Sequence, residues 1–420
     1  MERKMSPESL MMSYGFDPSL SEGAIKSPIF QTSTFVFKSA EEGKSFFEVA
    51  YGLREKSKDE ELGLIYSRLN NPDLEILENR LCLWDEAGDA AVFESGMSAI
   101  TTSFLQFLRP GDLLLHSNPI YGGTDHFVKH VLPKFGVHIL GFEPQDSKEE
   151  IVAKIEASGL SKNLKMVYLE TPANPTNDLI DLEMISEISS QFSTDEKVIV
   201  AVDNTYMGPL WQHPLKHGAD IVLYSATKYI GGHSDVIAGA CLGSKELIAQ
   251  IKEMRTFLGN MAGPWTGWLL MRSLETLKVR MEKQAANAKE IYSAIKERAD
   301  IEEIGYLGAI EEGTRSHEIF KKQYTSAGAM ISIKLKGGEE EAFTFLNNLK
   351  LIKLAVSLGS TDSLAQHPAS MTHAGVDREE RLKYGISDNL VRLSVGVENP
   401  KDLIWDIEQA LATIQESVLA

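Results

Sequence analysis

Val200-Ala201-Val202-Asp203-Asn204-Thr205, followed by Tyr224-Ser225-Ala226-Thr227-Lys228-Tyr229-Ile230-Gly231-Gly232-His233-Ser234-Asp235, is the part of this chain from which its fold can be read. The first run is short, continuously apolar and closed by an acid. Strands of that kind are buried on both faces and belong to parallel sheets. The second run sets a lysine among hydroxyls and glycines just after another apolar segment, Ile221-Val222-Leu223-Tyr224. Ligands of open α/β sheets bind outside the carboxyl ends of the strands, where Asp203 and Ser225 both fall. An acid and a lysine so placed suit pyridoxal phosphate. The Lys228 amine can form a Schiff base with the cofactor aldehyde. The Asp203 carboxylate can keep the pyridine nitrogen protonated, so that the ring accepts electrons from a substrate. Ser225 and Thr227 can offer hydroxyls to the phosphate. The alternative is a surface lysine after a buried strand, and the hydroxyls, glycines and upstream acid weigh against it.

Working outward, further apolar runs recur at Ala90-Ala91-Val92-Phe93, Leu113-Leu114-Leu115 and Lys165-Met166-Val167-Tyr168-Leu169, separated by helical patterns. Asp73 to Trp84 is amphipathic, with Leu74, Leu77, Leu81 and Trp84 on one face. The expected fold is α/β, with a mostly parallel central sheet covered on both faces. Residues 1–71 read as an N-terminal arm rich in Ser, Gly, Pro and Glu, and an arm that cannot bury itself often packs on a second subunit. Within it, the charged run from Arg54 to Glu61 reads as a solvated face. Residues 72–268 form the expected cofactor domain. A helix from Trp265 to about Ala299 leads into a C-terminal α+β domain, residues 269–420. Its strands are expected near Met330–Leu335, Leu354–Val356 and Leu390–Val395, and its closing helix at Pro400 to Ser417.

The 420 residues suffice for two packed domains, and 43% hydrophobic with 24% charged residues describes an ordinary globular chain. A net charge of -18 argues against nucleic-acid or anionic-membrane partners. Met1 to Pro7 holds no apolar signal core and no run of 18 apolar residues occurs, so neither secretion nor a membrane span is expected. Cys82 and Cys241 alone imply no disulfide framework, and a cytoplasmic location follows.

Other segments carry chemistry beside the lysine. Glu94-Ser95-Gly96-Met97-Ser98 follows a strand and opens a helix, where backbone N–H groups and the helix dipole can hold a phosphate. In Pro119-Ile120-Tyr121-Gly122-Gly123-Thr124, the Tyr121 ring can stack on a flat cofactor and its hydroxyl can act as an acid, or it can pack on the surface. Asn174, set between Pro172 and Pro175, can donate to the cofactor's phenolic oxygen. Arg392, inside an apolar strand, needs an anion: a substrate carboxylate or an internal salt bridge. Asp125, His126 and His130 are spaced for metal ligands, yet no third strong ligand is fixed, so no metal is expected. His367 and His373 read as gating or packing residues.

These motifs, with Tyr66-Ser67-Arg68-Leu69-Asn70-Asn71-Pro72, make the chain resemble the Cys/Met-metabolism PLP enzymes from about Pro28 to its carboxyl end. That family holds cystathionine γ-synthase, the cystathionine lyases, O-acylhomoserine sulfhydrylases and methionine γ-lyase. The resemblance implies fold type I, the aspartate aminotransferase-like fold, and a homotetramer built from two tight dimers. It implies that Tyr66 and Arg68 reach the neighbouring subunit's phosphate, and that Gly96, Met97, Ser225 and Thr227 hold the phosphate. It further implies that Tyr121 stacks on the ring, that Asp203 pairs with the pyridine nitrogen, that Lys228 carries the cofactor, and that Ser357 and Arg392 take the substrate carboxylate. Ser357 to His373 and Tyr384 to Gly396 look most like methionine γ-lyase. Val356 agrees, since cystathionine γ-lyases tend to carry an acid there. Gly123 departs from that pattern, which has cysteine, and Arg255-Thr256 stands in place of a Lys-Asp pair. The segment Leu53 to Gly63 is longer than expected.

The activity implied is γ-elimination from methionine or a related sulfur amino acid, giving a 2-oxo acid, ammonia and a thiol. The runner-up is γ-replacement on a homoserine ester, as in cystathionine γ-synthase or the sulfhydrylases. A cofactor-holding regulator without turnover is a reading of another class, and the set Lys228, Asp203, Tyr121 and Arg392 weighs against it.

Overall fold

The computed structural model describes residues 5–58, 60 and 62–419. Residues 1–4 and Asp59 and Glu61 of the expected arm, the last two also in its charged run and long segment, lie outside the described residues, as does Ala420. The larger sheet comprises β1 Asp89–Phe93, β2 Leu113–Ser117, β3 His138–Phe142, β4 Leu164–Glu170, β5 Ile199–Asp203, β6 Ile221–Tyr224 and β7 Gly239–Gly243. Their order is β1-β7-β6-β5-β4-β2-β3, parallel from β6 to β3, with β7 antiparallel to both neighbours. The mostly parallel α/β sheet expected from the apolar runs is therefore present.

Alternation along each strand sends side chains into two cores. From β4, Met166 and Tyr168 join Phe104 and Ile248, whereas Val167 and Leu169 join Ile151 and Ile185 on the other face. Phe104 and Tyr168 pack edge to face, 5.2 Å apart between ring centroids. Burying an aromatic of that size contributes about 2–3 kcal/mol. The amphipathic helix forms at Pro72–Asp85, with Asn71 capping it by accepting the N–H of Asp73 at 3.0 Å. Leu74, Leu77, Leu81 and Trp84 are all buried, as their spacing predicts.

β3 and β7 escape a reading by propensity. β7 is Gly239-Ala240-Cys241-Leu242-Gly243, small residues bounded by glycines, which have little strand preference of their own. It is a strand because β1 and β6 supply ladders on both sides, and every residue of it is buried.

The second sheet holds β8 Ile301–Gly305, β9 Met330–Leu335, β10 Lys353–Leu354, β11 Leu364–Gln366 and β12 Leu390–Ser394, in the order β10-β11-β12-β9-β8. The helices Glu339–Asn348 and Pro400–Leu419 bury Phe345, Leu346, Leu403 and Ile407 in its core. The single helix expected from Trp265 is two, Pro264–Leu274 and Leu277–Ile295. At the break the Ser273 carbonyl accepts the backbone N–H of Thr276 at 3.2 Å, the Thr276 hydroxyl at 3.2 Å and Arg280 Nη2 at 3.0 Å. Those donors take the acceptor that a continuing helix would use.

Candidate active site

Asp203 is the last residue of β5 and Ser225 the first after β6, so both stand at the carboxyl edge of the parallel sheet. There a cavity of about 300 Å³ opens, bounded on its far side by Arg392 from β12 of the smaller sheet. Gly96, Met97, Tyr121, Asn174, Asp203, Ser225, Thr227, Lys228, Ser357 and Arg392 all line it. Tyr66 and Arg68 do not. Tyr66 is 41% exposed, and Arg68 donates from Nη1 to the Thr256 carbonyl at 2.8 Å.

Ser95 caps the helix Gly96–Phe107 by accepting the N–H of Ser98 at 3.0 Å, and Ser95, Gly96 and Met97 at that helix start line the cavity. A Cβ on Gly96 would lie 2.8 Å from Ser225 Cβ, so the helix start and the lysine loop touch only because residue 96 has no side chain. The helix start and the lysine loop thus form one cup. Within it, Thr227 already donates its hydroxyl to the Ala238 carbonyl at 3.2 Å, whereas Ser225 Oγ has no protein partner among the described residues.

Lys228 Nζ donates to Ser357 Oγ at 2.8 Å. Burial, aided by the Arg392 charge and opposed by Asp203, brings its ammonium down to about 8. Asp203 is pushed up by burial, against the Thr205 backbone N–H at 3.0 Å and the Tyr168 hydroxyl at 3.2 Å, which both favour its charged form. Ser357 itself has φ +114, a backbone conformation that costs a non-glycine residue about 1–3 kcal/mol and that surrounding contacts must hold. Arg392 provides one such contact, donating from Nη2 to the Ser357 carbonyl at 2.5 Å.

Arg392 is buried at 3% exposure and forms no ion pair among the described residues. Its other donation is from Nη1 to Asn174 Oδ1 at 2.8 Å, and its Nε has no partner. Among the described residues the internal salt bridge left open by the sequence is not there. A buried guanidinium held only by neutral oxygens leaves the cavity suited to an anionic group.

Glu170 was not singled out in the sequence, yet it lines the same cavity at the end of β4, one strand from Asp203. Burial and then the Asp203 charge push its carboxyl up to about 8. The signal was available: an acid closing an apolar strand is the pattern that marked Asp203. Thr205 was also passed over, although its Oγ1 accepts the Ser225 N–H at 2.7 Å and so ties the Asp203 turn to the lysine loop.

Histidine chemistry lies elsewhere. The His126 and His130 rings sit 4.7 Å apart, but Asp125 pairs with Lys129 at 2.8 Å, and no cluster fit for a metal occurs among the described residues. His367 is held by Ser370 Oγ at 2.8 Å and the Asp388 carbonyl at 2.7 Å, a packing arrangement.

The family model described as Cys/Met metabolism PLP-dependent enzyme matches residues 8–412. The chain is 43% identical over 394 residues to an L-methionine gamma-lyase of Fusobacterium nucleatum subsp. polymorphum, covering 93% of this chain and 94% of that one. It is 38% identical over 412 residues to a cystathionine gamma-lyase of Bacillus subtilis (strain 168), covering 98% and 100%. The crystal structure of cystathionine gamma-lyase from Lactobacillus plantarum complexed with L-serine superposes with a TM-score of 0.85 at 33% identity, covering 98% of this chain and all of that one. The fold is accordingly that of the type I PLP enzymes, and the cavity fits the cofactor: an amine of lowered pKa, a buried acid and a glycine-opened helix start face one space. This chain belongs to the Cys/Met metabolism PLP-dependent enzymes.

Proposed function

We propose that this enzyme carries out γ-elimination on methionine or a related L-amino acid bearing sulfur at Cγ, releasing a 2-oxo acid, ammonia and a thiol. The observation that carries the reading is the unpaired, buried Arg392 in the same cavity as Lys228. When bound, the cofactor supplies an aldehyde that captures amines and a ring that draws electrons from Cα. Tyr66, Arg68, Gly96, Met97, Ser225 and Thr227 hold its phosphate, the first two from a neighbouring subunit. Asp203 keeps a proton on the ring nitrogen, and Tyr121 stacks on the ring. Asn174 spends its oxygen on Arg392, which leaves its amide N–H free for the phenolic oxygen.

Arg392 and Ser357 take the substrate carboxylate, which places Cα near Lys228. An amine with a pKa of about 8 can take the Cα proton near neutrality and can move one from Cβ as well. Tyr121, 44% exposed at the cavity mouth, gives a proton to the departing sulfur. Beyond these polar groups the wall is Met97, Ile100, Ile237, Val356 and Leu358. Val356 offers no charge to a distal ammonium, which favours an alkyl thioether over cystathionine.

We further propose an arm at 1–71, a cofactor domain at 72–268 and a C-terminal domain at 269–420, a homotetramer, and a cytoplasmic location. The free thiols of Cys82 and Cys241 support the last of these. Among the described residues no helix is long and apolar enough to cross a membrane. The test is an assay with methionine alone, and with an O-acylhomoserine plus cysteine or sulfide, using the unaltered protein and Lys228→Ala. Methionine alone should yield a 2-oxo acid. Lys228→Ala should lose the visible cofactor band and at least about a thousandfold of the rate. Product only when a thiol is added, or full turnover by the variant, overturns the assignment.

A further inference from the structure

We propose that Glu170 is a positioning residue whose carboxyl group fastens the two walls of the cavity, holding Tyr121 and Asn174 at the separation from which they act. The proposal rests on the roles given above to those two residues. Glu170 ends β4 directly across from Asp203 at the end of β5. Its Oε2 accepts the backbone N–H of Tyr121 at 2.8 Å, and its Oε1 accepts that of Asn174 at 3.1 Å. Its own N–H donates to Ser117 Oγ, on the last residue of β2, at 3.1 Å.

Tyr121 lies on the segment after β2 and Asn174 on the segment after β4, beyond the paired residues of these neighbouring strands. One carboxyl group taking a single N–H from each segment on its two oxygens therefore sets their spacing where strand pairing has stopped. The effect continues past Asn174, whose Oδ1 accepts Arg392 Nη1 at 2.8 Å, and Arg392 in turn holds the strained Ser357. Ser357 receives the Lys228 amine. Glu170 thus stands at the head of a connected path to the stacking ring, the guanidinium and the lysine without itself reaching the reacting atoms.

Packing alone gives no reason for an acid here. Glu170 is buried at 5% exposure and forms no ion pair among the described residues, so an apolar side chain would avoid its desolvation cost. What the acid provides is two acceptor oxygens on one rigid group. Glutamine has only one and would set its NH₂ against the other N–H.

The test compares Glu170→Gln and Glu170→Asp with the unaltered holoenzyme, reading bound cofactor, its visible circular dichroism, KM and kcat for methionine, and the melting temperature. Both variants should keep stoichiometric cofactor. The dichroic band should change about twofold as Tyr121 shifts, and KM should rise about tenfold as Asn174 releases Arg392. The loss should be larger for Gln, which opposes an N–H, than for Asp, which is merely short. A dichroic band unchanged from that of the unaltered enzyme, with KM and kcat within about twofold, would overturn the proposal. So would failure of both variants to fold, which would make the carboxylate purely architectural. If the unaltered protein holds cofactor yet does not turn over methionine, the γ-elimination reading fails, while the dichroism still decides the case for Glu170.

Discussion

At the scale of single residues, the groups that matter most are charged and buried, and their protonation follows from burial. Asp85 does not line the cavity, is wholly enclosed, and accepts the Tyr224 hydroxyl at 2.9 Å, whose oxygen accepts Asn204 Nδ2 at 2.9 Å. Burial raises this carboxyl from 3.8 to about 7, with the Tyr224 hydroxyl pulling the other way. The folded chain therefore keeps a proton, through the window between those values, that the unfolded chain has released. By linkage, stability is greatest below the unfolded value and declines as pH rises through the window, by up to about 1.4 kcal/mol per pH unit. Glu170, raised to about 8, acts in the same direction. Asp85→Asn keeps an acceptor for Tyr224 and loses the proton. It should narrow the difference in melting temperature between pH 5 and pH 8, and should melt higher than the unaltered chain at pH 8. An unchanged difference would show that Asp85 is not the titrating group.

At the scale of elements, the site depends on a strand that its own sequence hardly announces. A Cβ on Gly239, the first residue of β7, would stand 2.1 Å from the Ser95 carbonyl oxygen, which is backbone and cannot rotate aside. Ser95 caps the helix whose start faces the cavity. Gly239→Ala must therefore push β7 and the helix start apart, costing about 1–3 kcal/mol. Thermal melts should show a drop of several degrees, and a weaker gain on adding pyridoxal phosphate than the unaltered apoprotein shows. Full cofactor affinity together with an unchanged melting temperature would mean that the contact relaxes at no cost. The helix Pro72–Asp85 is the contrasting case, because its cap, periodicity and buried face could all be read locally.

At the scale of the whole molecule, a single chain does not bring every expected site residue together. Tyr66 and Arg68 lie outside the cavity lining, while Leu20, Ile25, Val36 and Tyr51 of the arm and Phe257 beside Thr256 remain exposed. An action of Arg68 across a subunit boundary is testable by complementation. Arg68→Ala and Lys228→Ala should each be nearly inactive alone, the first with weakened cofactor binding. Mixed in equal amounts and reassembled, they should recover about a quarter of the unaltered rate, since half of the dimers are mixed and each of those has one intact site. Recovery no greater than the sum of the parents would confine Arg68 to its own subunit.

Local pattern by itself determined the parallel sheet, the amphipathic helices, and the positions of Lys228 and Asp203, because apolar runs and strand-end residues obey short-range rules. The tertiary structure alone decided that β7 is a strand, that one expected helix breaks at Thr276, and that Glu170 joins the cavity. The helix break turns on side-chain geometry, with Thr276 and Arg280 competing for the Ser273 carbonyl, while β7 and Glu170 depend on partners distant in the chain, the flanking ladders and the Tyr121 N–H. The same holds for Arg392, whose lack of a counter-charge follows from what surrounds it in space and not from its neighbours in the chain.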